Sequence, residues 1–252
     1  MGEIFILSFI QGVTEFLPVS SSSHLILVSE YLDFNNQNLE IDVSLHIGSF
    51  LAVITYFYKE IFNFLNNKDL FVKIFISSIP VILVGFVLVK LDLIEQLRNI
   101  KVIGWMTLIF GLILYLSDRF ETQKNIEKDL TFKSIIIIGL FQILSLIPGV
   151  SRSGITITGA RFLKFKRHDA ASISFLISIP TLAAISIFGV NNLIKSENFE
   201  FSLLMVISIL LSFFFSLITI KYFLKFINTF SLKIFIVYRL ILGIIILAIS
   251  YL

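Results

Sequence analysis

The sequence has 252 residues, of which 57% are hydrophobic and 15% charged, and its mean hydropathy is +0.96. Soluble domains carry about a quarter charged residues, so this composition excludes an ordinary soluble domain and indicates a polytopic membrane protein. The net charge of +3 does not indicate nucleic-acid binding, because the basic residues lie between apolar segments, where they set membrane orientation. The absence of cysteine from the sequence excludes disulfides and thiolate metal sites.

The first apolar stretch, at residues 4–29, is interrupted by Glu15 and Pro18. Neither piece is long enough to cross a hydrocarbon core of about 30 Å by itself. The stretch is therefore either one kinked span or a re-entrant hairpin, which is allowed where the tip is buried in protein or lines a cavity. It has no basic n-region and no small-residue cleavage site before Glu15, so we expect it to belong to the mature fold and not to a signal peptide.

Two polar side chains precede the break in this stretch. Gln11 and Glu15 lie four positions apart, so they share one face of a short helix. Pro18 ends that helix near residue 17, because proline has no backbone N–H group to donate and restrains the residue before it. We therefore expect an amide and a carboxylate to lie side by side close to the tip of the hairpin.

Four consecutive serines follow at residues 20–23, and His24 comes directly after them. Serine is a typical N-cap, so we expect a second short helix to begin here. The free N–H groups and the positive dipole end at a helix start favour a phosphate oxygen. Ser20 and Ser21 precede His24 by about one turn, so we expect one of these hydroxyl groups to face the same space as the imidazole. Taken alone, a serine run is more often a cap or a loop, and a single histidine is more often a packing residue.

Six further apolar segments fit complete transmembrane spans. Allowing for snorkelling side chains at their ends, each is long enough to cross the hydrocarbon core. They lie at residues 43–58, 74–89, 102–117, 170–194, 201–220 and 236–252. The sequence therefore predicts an all-α polytopic membrane protein with six transmembrane helices.

A second interrupted stretch lies at residues 134–160, where a Pro-Gly pair breaks the apolar run and Arg152 follows. An unpaired charge at bilayer depth costs roughly 2.5 to 3.5 kcal/mol, so Arg152 requires a partner or a ligand. Its planar guanidinium group makes bidentate contacts to phosphate oxygens. Ser151 and Ser153 flank the arginine and Thr156 lies about one turn further, so we expect hydroxyl donors beside the cation.

The placement of lysine and arginine indicates how the second interrupted stretch runs. If it is a hairpin, four loops fall on one side with 3, 4, 4 and 4 basic residues, and three loops fall on the other with 0, 3 and 1. The first four loops are residues 59–73, 118–133, 161–169 and 221–239, and the other three are 30–42, 90–101 and 195–200. A full span would move two of the basic loops outside, against the positive-inside bias, so we predict a re-entrant hairpin.

The same treatment of residues 4–29 places both termini outside and divides the chain into two halves. Each half then consists of a hairpin followed by three spans, entered from opposite sides of the membrane. We predict a single membrane domain over residues 1–252, built from inverted-repeat halves at about 1–118 and 133–252. In such folds the interrupted helices of both halves meet near the midplane and form the functional site.

A short alignment gives weak support for this repeat. When Pro18 is placed over Pro148, Ser21 falls over Ser151 and Ser23 falls over Ser153. These matches are few and the residue types are common, so the repeat depends mostly on the predicted topology.

Together the two hairpins would supply a cation, hydroxyl groups, a carboxylate, an amide and an imidazole. This is an inventory for phosphoryl transfer, with a nucleophile, a proton-transfer group, an electrophilic clamp and a metal ligand. A simpler alternative pairs Arg152 with Glu15 as a structural salt bridge. We expect His46 and His168 to be structural or interfacial, since His168 lies in a basic loop that faces water or lipid headgroups.

These residues form two motifs that resemble the signatures of a known family. Residues 15–21 (Glu-Phe-Leu-Pro-Val-Ser-Ser) with His24, and residues 148–156 (Pro-Gly-Val-Ser-Arg-Ser-Gly-Ile-Thr), resemble those of the bacterial undecaprenyl-diphosphate phosphatases, the BacA/UppP bacitracin-resistance family. The resemblance runs the length of the chain and includes residues 42–48 (Asp-Val-Ser-Leu-His-Ile-Gly).

The resemblance implies a membrane hydrolase. Its expected reaction converts undecaprenyl diphosphate to undecaprenyl phosphate and inorganic phosphate, which recycles the lipid carrier for peptidoglycan and other cell-wall polymers. It also implies a location in the bacterial plasma (inner) membrane, a site open to the outer face, and dependence on a divalent cation (Mg or Ca). The assembly is left open, with a homodimer among the alternatives.

The resemblance also implies roles for individual residues. By motif position, Glu15 and Gln11 correspond to a pair that handles metal or water. Ser21 corresponds to the nucleophile or a phosphate ligand, His24 to the essential imidazole, and Arg152 to the phosphate clamp.

The chain departs from the family pattern at two positions. Gln11 stands where many members have glutamate, which weakens the prediction that two carboxylates hold a metal. Ser23 stands where glycine is common, which weakens the prediction of a close backbone approach by phosphate. The remaining side chains expected to contact substrate are those of Gln11, Ser20, Ser151, Ser153 and Thr156.

We expect the diphosphate headgroup to enter between the hairpin tips while the prenyl chain stays in lipid. Ser21 then attacks or positions a water, and His24 or Glu15 relays the proton; the sequence does not rank these alternatives. The rival from another class is a flippase or transporter for a polyprenyl phosphate or a small anion, because inverted repeats with broken helices are a transporter architecture.

Overall fold

The computed structural model describes residues 1–32, 38–63, 68–91, 93–120, 123–195 and 201–252. In these ranges the chain is α-helical, without a β-strand. The helices are α1 Gly2–Thr14, α2 Ser21–Leu32, α3 Leu39–Tyr56, α4 Tyr58–Asn63, α5 Lys68–Lys90, α6 Leu93–Leu97, α7 Ile100–Asp118, α8 Ile126–Asp129, α9 Phe132–Ile143, α10 Arg152–Phe162, α11 Arg167–Lys195, α12 Leu203–Thr229 and α13 Lys233–Tyr251. Parts of the predicted loops 30–42, 59–73, 90–101, 118–133 and 195–200 lie outside the described residues.

Six helices of the described part are long and apolar enough to cross a membrane. They are α3, α5, α7, α11, α12 and α13, one for each predicted span, so the prediction of an all-α membrane protein with six transmembrane helices is confirmed. Most of them extend beyond the predicted ends, because lysine and aspartate in a terminal turn keep their charged groups at the interface. Helix α12, for example, continues from the predicted end at residue 220 to Thr229.

Two basic residues that the sequence-based topology places in loops are buried within helices, Arg161 of α10 and Arg239 of α13. Arg239 was counted in the loop 221–239, but α13 begins at Lys233 and Arg239 is fully buried within it. It therefore does not contribute to the positive charge of a loop. The remaining lysines of that loop region still give it a basic character.

The two interrupted stretches fold as pairs of short helices, α1 with α2 and α9 with α10. The four helices have 13, 12, 12 and 11 residues, so each is about 16–20 Å long and shorter than the hydrocarbon core. The second helix of each pair follows a serine with positive φ, Ser20 at 77° and Ser151 at 73°. These two serines are therefore structural counterparts, one position away from the pairing that the alignment of Pro18 with Pro148 gave.

The packing partners exchange between the two halves of the chain. Helix α1 packs on α12, and α9 packs on α5. Helix α3 contacts α11, and α7 contacts α13. If the two halves are exchanged, the contact of α1 with α12 becomes the contact of α9 with α5. The contacts of α3 with α11 and of α7 with α13 stay the same. This is the pattern expected from an inverted repeat. The repeat itself and the re-entrant course of the hairpins stay predictions.

Close helix contacts at two glycines fix the hairpins and spans against each other. A Cβ atom at Gly48 of α3 would lie 2.5 Å from the Ile209 carbonyl oxygen of α12. A Cβ atom at Gly139 of α9 would overlap the carbonyl group of Ser77 in α5. Without side chains at these positions the helix backbones approach closely, and van der Waals packing then holds helices that lipid would otherwise solvate equally well.

Candidate active site

The tips of the two helix pairs meet at Arg239 of α13. Its Nη1 atom donates to the Pro18 carbonyl oxygen at 3.2 Å and to the Val150 carbonyl oxygen at 3.0 Å. Its Nη2 atom donates to the Gly149 carbonyl oxygen at 2.8 Å, and its Nε atom donates to the Thr107 carbonyl oxygen of α7 at 3.2 Å. One buried guanidinium group thus satisfies carbonyl groups of both tips, which lack helical partners because each helix is broken there.

A second contact between the tips lies closer to the predicted catalytic residues. The Ser153 hydroxyl of α10 donates to the Leu17 carbonyl oxygen at 2.7 Å. Ser151 caps α10, because its hydroxyl oxygen accepts from the Gly154 backbone N–H group at 3.1 Å. The first turn of α10 is therefore held directly against the end of the first hairpin segment, and Arg152 is brought to Glu15.

Glu15 lies at the centre of the polar cluster, and its carboxylate is 7% exposed. Arg152 Nη2 donates to Oε1 of this carboxylate at 2.6 Å. The second oxygen, Oε2, accepts from Ser21 Oγ at 2.6 Å and from Gln11 Nε2 at 3.1 Å. The carboxylate therefore connects three of the predicted site residues, one on α10, one on α2 and one on α1.

Both side chains of the Glu15–Arg152 ion pair are largely buried, and that of the arginine is 11% exposed. The guanidinium group also lies over the Phe16 ring, 5.8 Å from its centroid, and Nη1 is 3.5 Å from the Ser174 carbonyl oxygen. The removal of one member of a buried pair costs about 3–5 kcal/mol, because the other charge is left uncompensated. The two residues thus pair directly, as in the simpler alternative that the sequence left open.

Gln11 connects the carboxylate to a histidine of α3. Its Nε2 atom lies 3.2 Å from His46 Nδ1 as well as 3.1 Å from the Glu15 carboxylate. Its Oε1 atom is buried and has no hydrogen-bond partner. His46 thus touches a predicted site residue, a contact that is compatible with the structural role expected for it. His168 lies away from this cluster, on the first turn of α11 beside a charged cavity of about 710 Å³.

His24 is held between a backbone carbonyl and a phenol. Its Nδ1 atom is 2.6 Å from the Ser20 carbonyl oxygen, so Nδ1 carries a proton and donates it. Its Nε2 atom is 2.6 Å from the hydroxyl group of Tyr238 on α13, and the two rings are stacked with centroids 5.7 Å apart. Neither ring nitrogen is directed at Ser21.

The other predicted substrate contacts are engaged within the protein. The Ser20 hydroxyl is 2.9 Å from that of Ser23. The Thr156 hydroxyl donates to the Arg152 carbonyl oxygen at 2.8 Å and lies 2.7 Å from that of Ser174 on α11. The structure thus brings Gln11, Glu15, Ser21 and Arg152 into direct contact, while Ser20, Ser151, Ser153 and Thr156 form the shell that supports them.

The oxygen atoms of this cluster are too few to hold a hard cation unless a bound ligand supplies further oxygen atoms. In the described ranges, no group of three or more histidine, cysteine, aspartate or glutamate side chains could hold a metal. Glu15 supplies one carboxylate, and the partnerless Oε1 atom of Gln11 supplies one amide oxygen. Mg²⁺ is commonly held by one or two carboxylates together with substrate phosphates. The residues therefore fit a divalent cation that arrives with a diphosphate.

Sequence reasoning missed Tyr238 and Arg239, and it read His46 as structural. Arg239 carried a usable signal, because it interrupts the apolar run of residues 234–252 just as Arg152 interrupts its own stretch. Tyr238 and His46 carried none. They are ordinary residues of apolar helices, and only the packing of α13 and α3 against the hairpins brings them to the site.

Comparisons with known proteins give the family of the chain. A relative from Pelagibacter ubique is 50% identical over 250 residues, which cover 99% of this chain and 97% of the relative. Relatives from Aliivibrio salmonicida (41% identical, 96% and 95% covered) and Jannaschia sp. (37% identical, 98% and 98% covered) also match. All three are named undecaprenyl-diphosphatase. The profile described as bacitracin resistance protein BacA matches residues 4–245, so this chain belongs to the BacA family.

Proposed function

We propose that this chain is an integral membrane phosphatase that hydrolyses undecaprenyl diphosphate to undecaprenyl phosphate and inorganic phosphate. The reaction recycles the lipid carrier for cell-wall synthesis. The observation that carries the proposal is the shared carboxylate of Glu15, which contacts a cation, Arg152, on one oxygen and a hydroxyl group, Ser21, on the other. Membership in the BacA family and the names of its relatives support the substrate class.

Arg152 is the proposed phosphate clamp. Its charge is balanced by Glu15. A diphosphate carries more negative charge than a carboxylate and matches the guanidinium fork with two oxygens, so it competes well for this partner. Phosphoryl transfer depends mostly on positioning and on electrostatic stabilisation of the phosphoryl oxygens, and a fixed guanidinium group supplies both.

Ser21 is the proposed nucleophile, and Glu15 is its proton acceptor. The serine oxygen forms a bond to the terminal phosphorus while the bond from that phosphorus to the bridging oxygen breaks. The bridging oxygen leaves with undecaprenyl phosphate, and the serine proton passes to the carboxylate. Water then hydrolyses the phosphoserine, which releases inorganic phosphate and restores the hydroxyl group. The 2.6 Å contact between Ser21 and Glu15 favours this pair over His24, whose two nitrogens have other partners.

A divalent cation, Mg or Ca, is part of the proposal. Glu15 and the Oε1 atom of Gln11 would hold it together with the substrate diphosphate. Such a cation would neutralise charge on the diphosphate oxygens.

The proposed location is the bacterial plasma (inner) membrane, with the site open to the outer face. The distribution of basic residues over the predicted loops supports this orientation. One chain carries every residue that the proposed reaction uses, so the proposal does not require a homodimer.

The test uses the full chain purified in detergent. Release of inorganic phosphate from undecaprenyl diphosphate is measured for the wild type and for Ser21→Ala, and ³²P-labelled substrate is used to trap a covalent intermediate. We expect phosphate release by the wild type, label on Ser21, and neither in the variant. Substrate binding without phosphate release, combined with vectorial movement of the lipid in vesicles, would establish the rival flippase or transporter.

A further inference from the structure

We propose that Tyr238 is a positioning residue for His24, and that its phenol holds the imidazole in one orientation during the reaction. The inference rests on the proposed function and adds to it that His24, the imidazole of the first motif, takes part in diphosphate hydrolysis beside Ser21 and Glu15. It adds a residue on the last helix, far from both sequence motifs.

Tyr238 and His24 are in direct contact. The Tyr238 hydroxyl oxygen lies 2.6 Å from His24 Nε2, and the two ring planes differ by only 10°. On the other side of the imidazole, Nδ1 donates to the Ser20 carbonyl oxygen. The ring is therefore held at both nitrogens, with the phenol nearly parallel to it.

This arrangement assigns the protons. A carbonyl oxygen only accepts, so in the neutral ring the proton is on Nδ1 and Nε2 is free to accept from the phenol. If Nε2 takes up a proton, the same phenol oxygen accepts from it, because a hydroxyl group both donates and accepts. Tyr238 thus remains a partner for both protonation states, whereas a side chain that only donates or only accepts would serve one of them.

The position of Tyr238 in the fold is set by its neighbour. Arg239 is fully buried and donates to the carbonyl groups of both hairpin tips, which locks this part of α13 against the site. Tyr238 itself is 43% exposed and lies on the side of α13 that faces α2. A tyrosine that only filled the core would be buried. The specific contact of Tyr238 is the hydrogen bond between its hydroxyl group and His24.

The experiment measures kcat and KM for phosphate release by the purified full chain. Its variants are Tyr238→Phe, His24→Ala and the double variant. Tyr222→Phe serves as the matched control, because Tyr222 is an exposed tyrosine of α12 that makes no contact with His24. We expect Tyr238→Phe to lower kcat by about 10- to 100-fold, the size of effect that follows from loss of orientation at a reacting group. We expect KM within twofold of the wild type and no further loss when Tyr238→Phe is added to His24→Ala.

A second measurement does not depend on turnover. The chain has three histidines, so ¹⁵N-histidine labelling gives a small set of imidazole signals. We expect Tyr238→Phe to shift the Nε2 signal of His24, assigned by its loss in His24→Ala, and to leave the signals of the other two unchanged.

Three results separate the possible failures. A kcat of Tyr238→Phe within twofold of the wild type, with an unshifted His24 signal, overturns the inference. Equal losses from Tyr238→Phe in the presence and absence of the His24 side chain also overturn it, because the tyrosine would then act through general structure. Full activity of His24→Ala also overturns the inference, because the imidazole that Tyr238 positions would then have no part in the reaction, while the proposed roles of Ser21 and Glu15 would stand.

Discussion

Glu15 and Arg152 lie 137 positions apart in the sequence, yet Arg152 Nη2 approaches Glu15 Oε1 to 2.6 Å. The pair joins the two interrupted helix pairs across the middle of the molecule. It also keeps a carboxylate and a guanidinium group charged in a buried site, where neither would be stable alone. In the proposed reaction the diphosphate takes the place of Glu15 as the partner of Arg152.

The first prediction concerns the fork of Arg152. Arg152→Lys keeps the charge but loses the bidentate contact, so we expect kcat/KM for phosphate release to fall by about 10- to 100-fold. Arg152→Ala also leaves Glu15 buried and unpaired, so we expect loss of activity together with a loss of stability of about 3–5 kcal/mol. The control is Arg119→Ala, an exposed arginine after α7. Wild-type turnover by Arg152→Ala would contradict the clamp.

The second prediction concerns the pair of nucleophile and base. Because Ser21 and Glu15 act as one unit, Ser21→Ala and Glu15→Gln should each lower kcat by about 10³-fold or more, and the double variant should lose little beyond either. Ser22→Ala, at an exposed neighbouring serine, should keep wild-type kinetics. Additive losses in the double variant would mean that the two side chains act independently.

The third prediction concerns cation dependence. Gln11→Glu adds a second carboxylate beside Glu15 and removes the amide that donates to it. We expect lower activity without added cation, because the two like charges repel, and half-maximal activity at a lower Mg²⁺ concentration than in the wild type. A titration of phosphate release against Mg²⁺ in the presence of increasing chelator measures both effects. A half-maximal concentration that rises or does not change would exclude Gln11 from the cation site.

The fourth prediction concerns Arg239. Arg239→Met fills similar space but leaves the carbonyl groups of Pro18, Gly149, Val150 and Thr107 without their donor. Each buried acceptor left unsatisfied costs about 1–3 kcal/mol, so we expect a large drop in thermal stability in detergent. Phosphate release should fall with it, since both tips lose their common anchor. Lys221→Met, at an exposed position of α12, provides the matched control.

Most of the fold followed from elementary properties of the sequence. Apolar runs of sufficient length identified the six spans, and Pro18 and the Pro-Gly pair at residues 148–149 identified the breaks. Helix ends were less accurate, because lysine and aspartate at a membrane interface are compatible with both helix and loop. Arg239 was misplaced for the same reason: one charge near a predicted end reads as a loop residue until the start of α13 at Lys233 is known.

The candidate site was likewise predictable only in part. The sequence by itself determined which chemical groups are present in the interrupted segments, since a charge or a hydroxyl cluster in apolar surroundings is costly without a function. It could not rank Glu15 against His24 as the partner of Ser21, because all three lie within about one and a half turns of the same tip. Only the tertiary structure decided this: it directs Ser21 to Glu15 and gives His24 to Tyr238 and Ser20. The physical reason is that the contact of His24 with Tyr238 joins helices from opposite ends of the chain, and a helical period carries no information about distant packing partners.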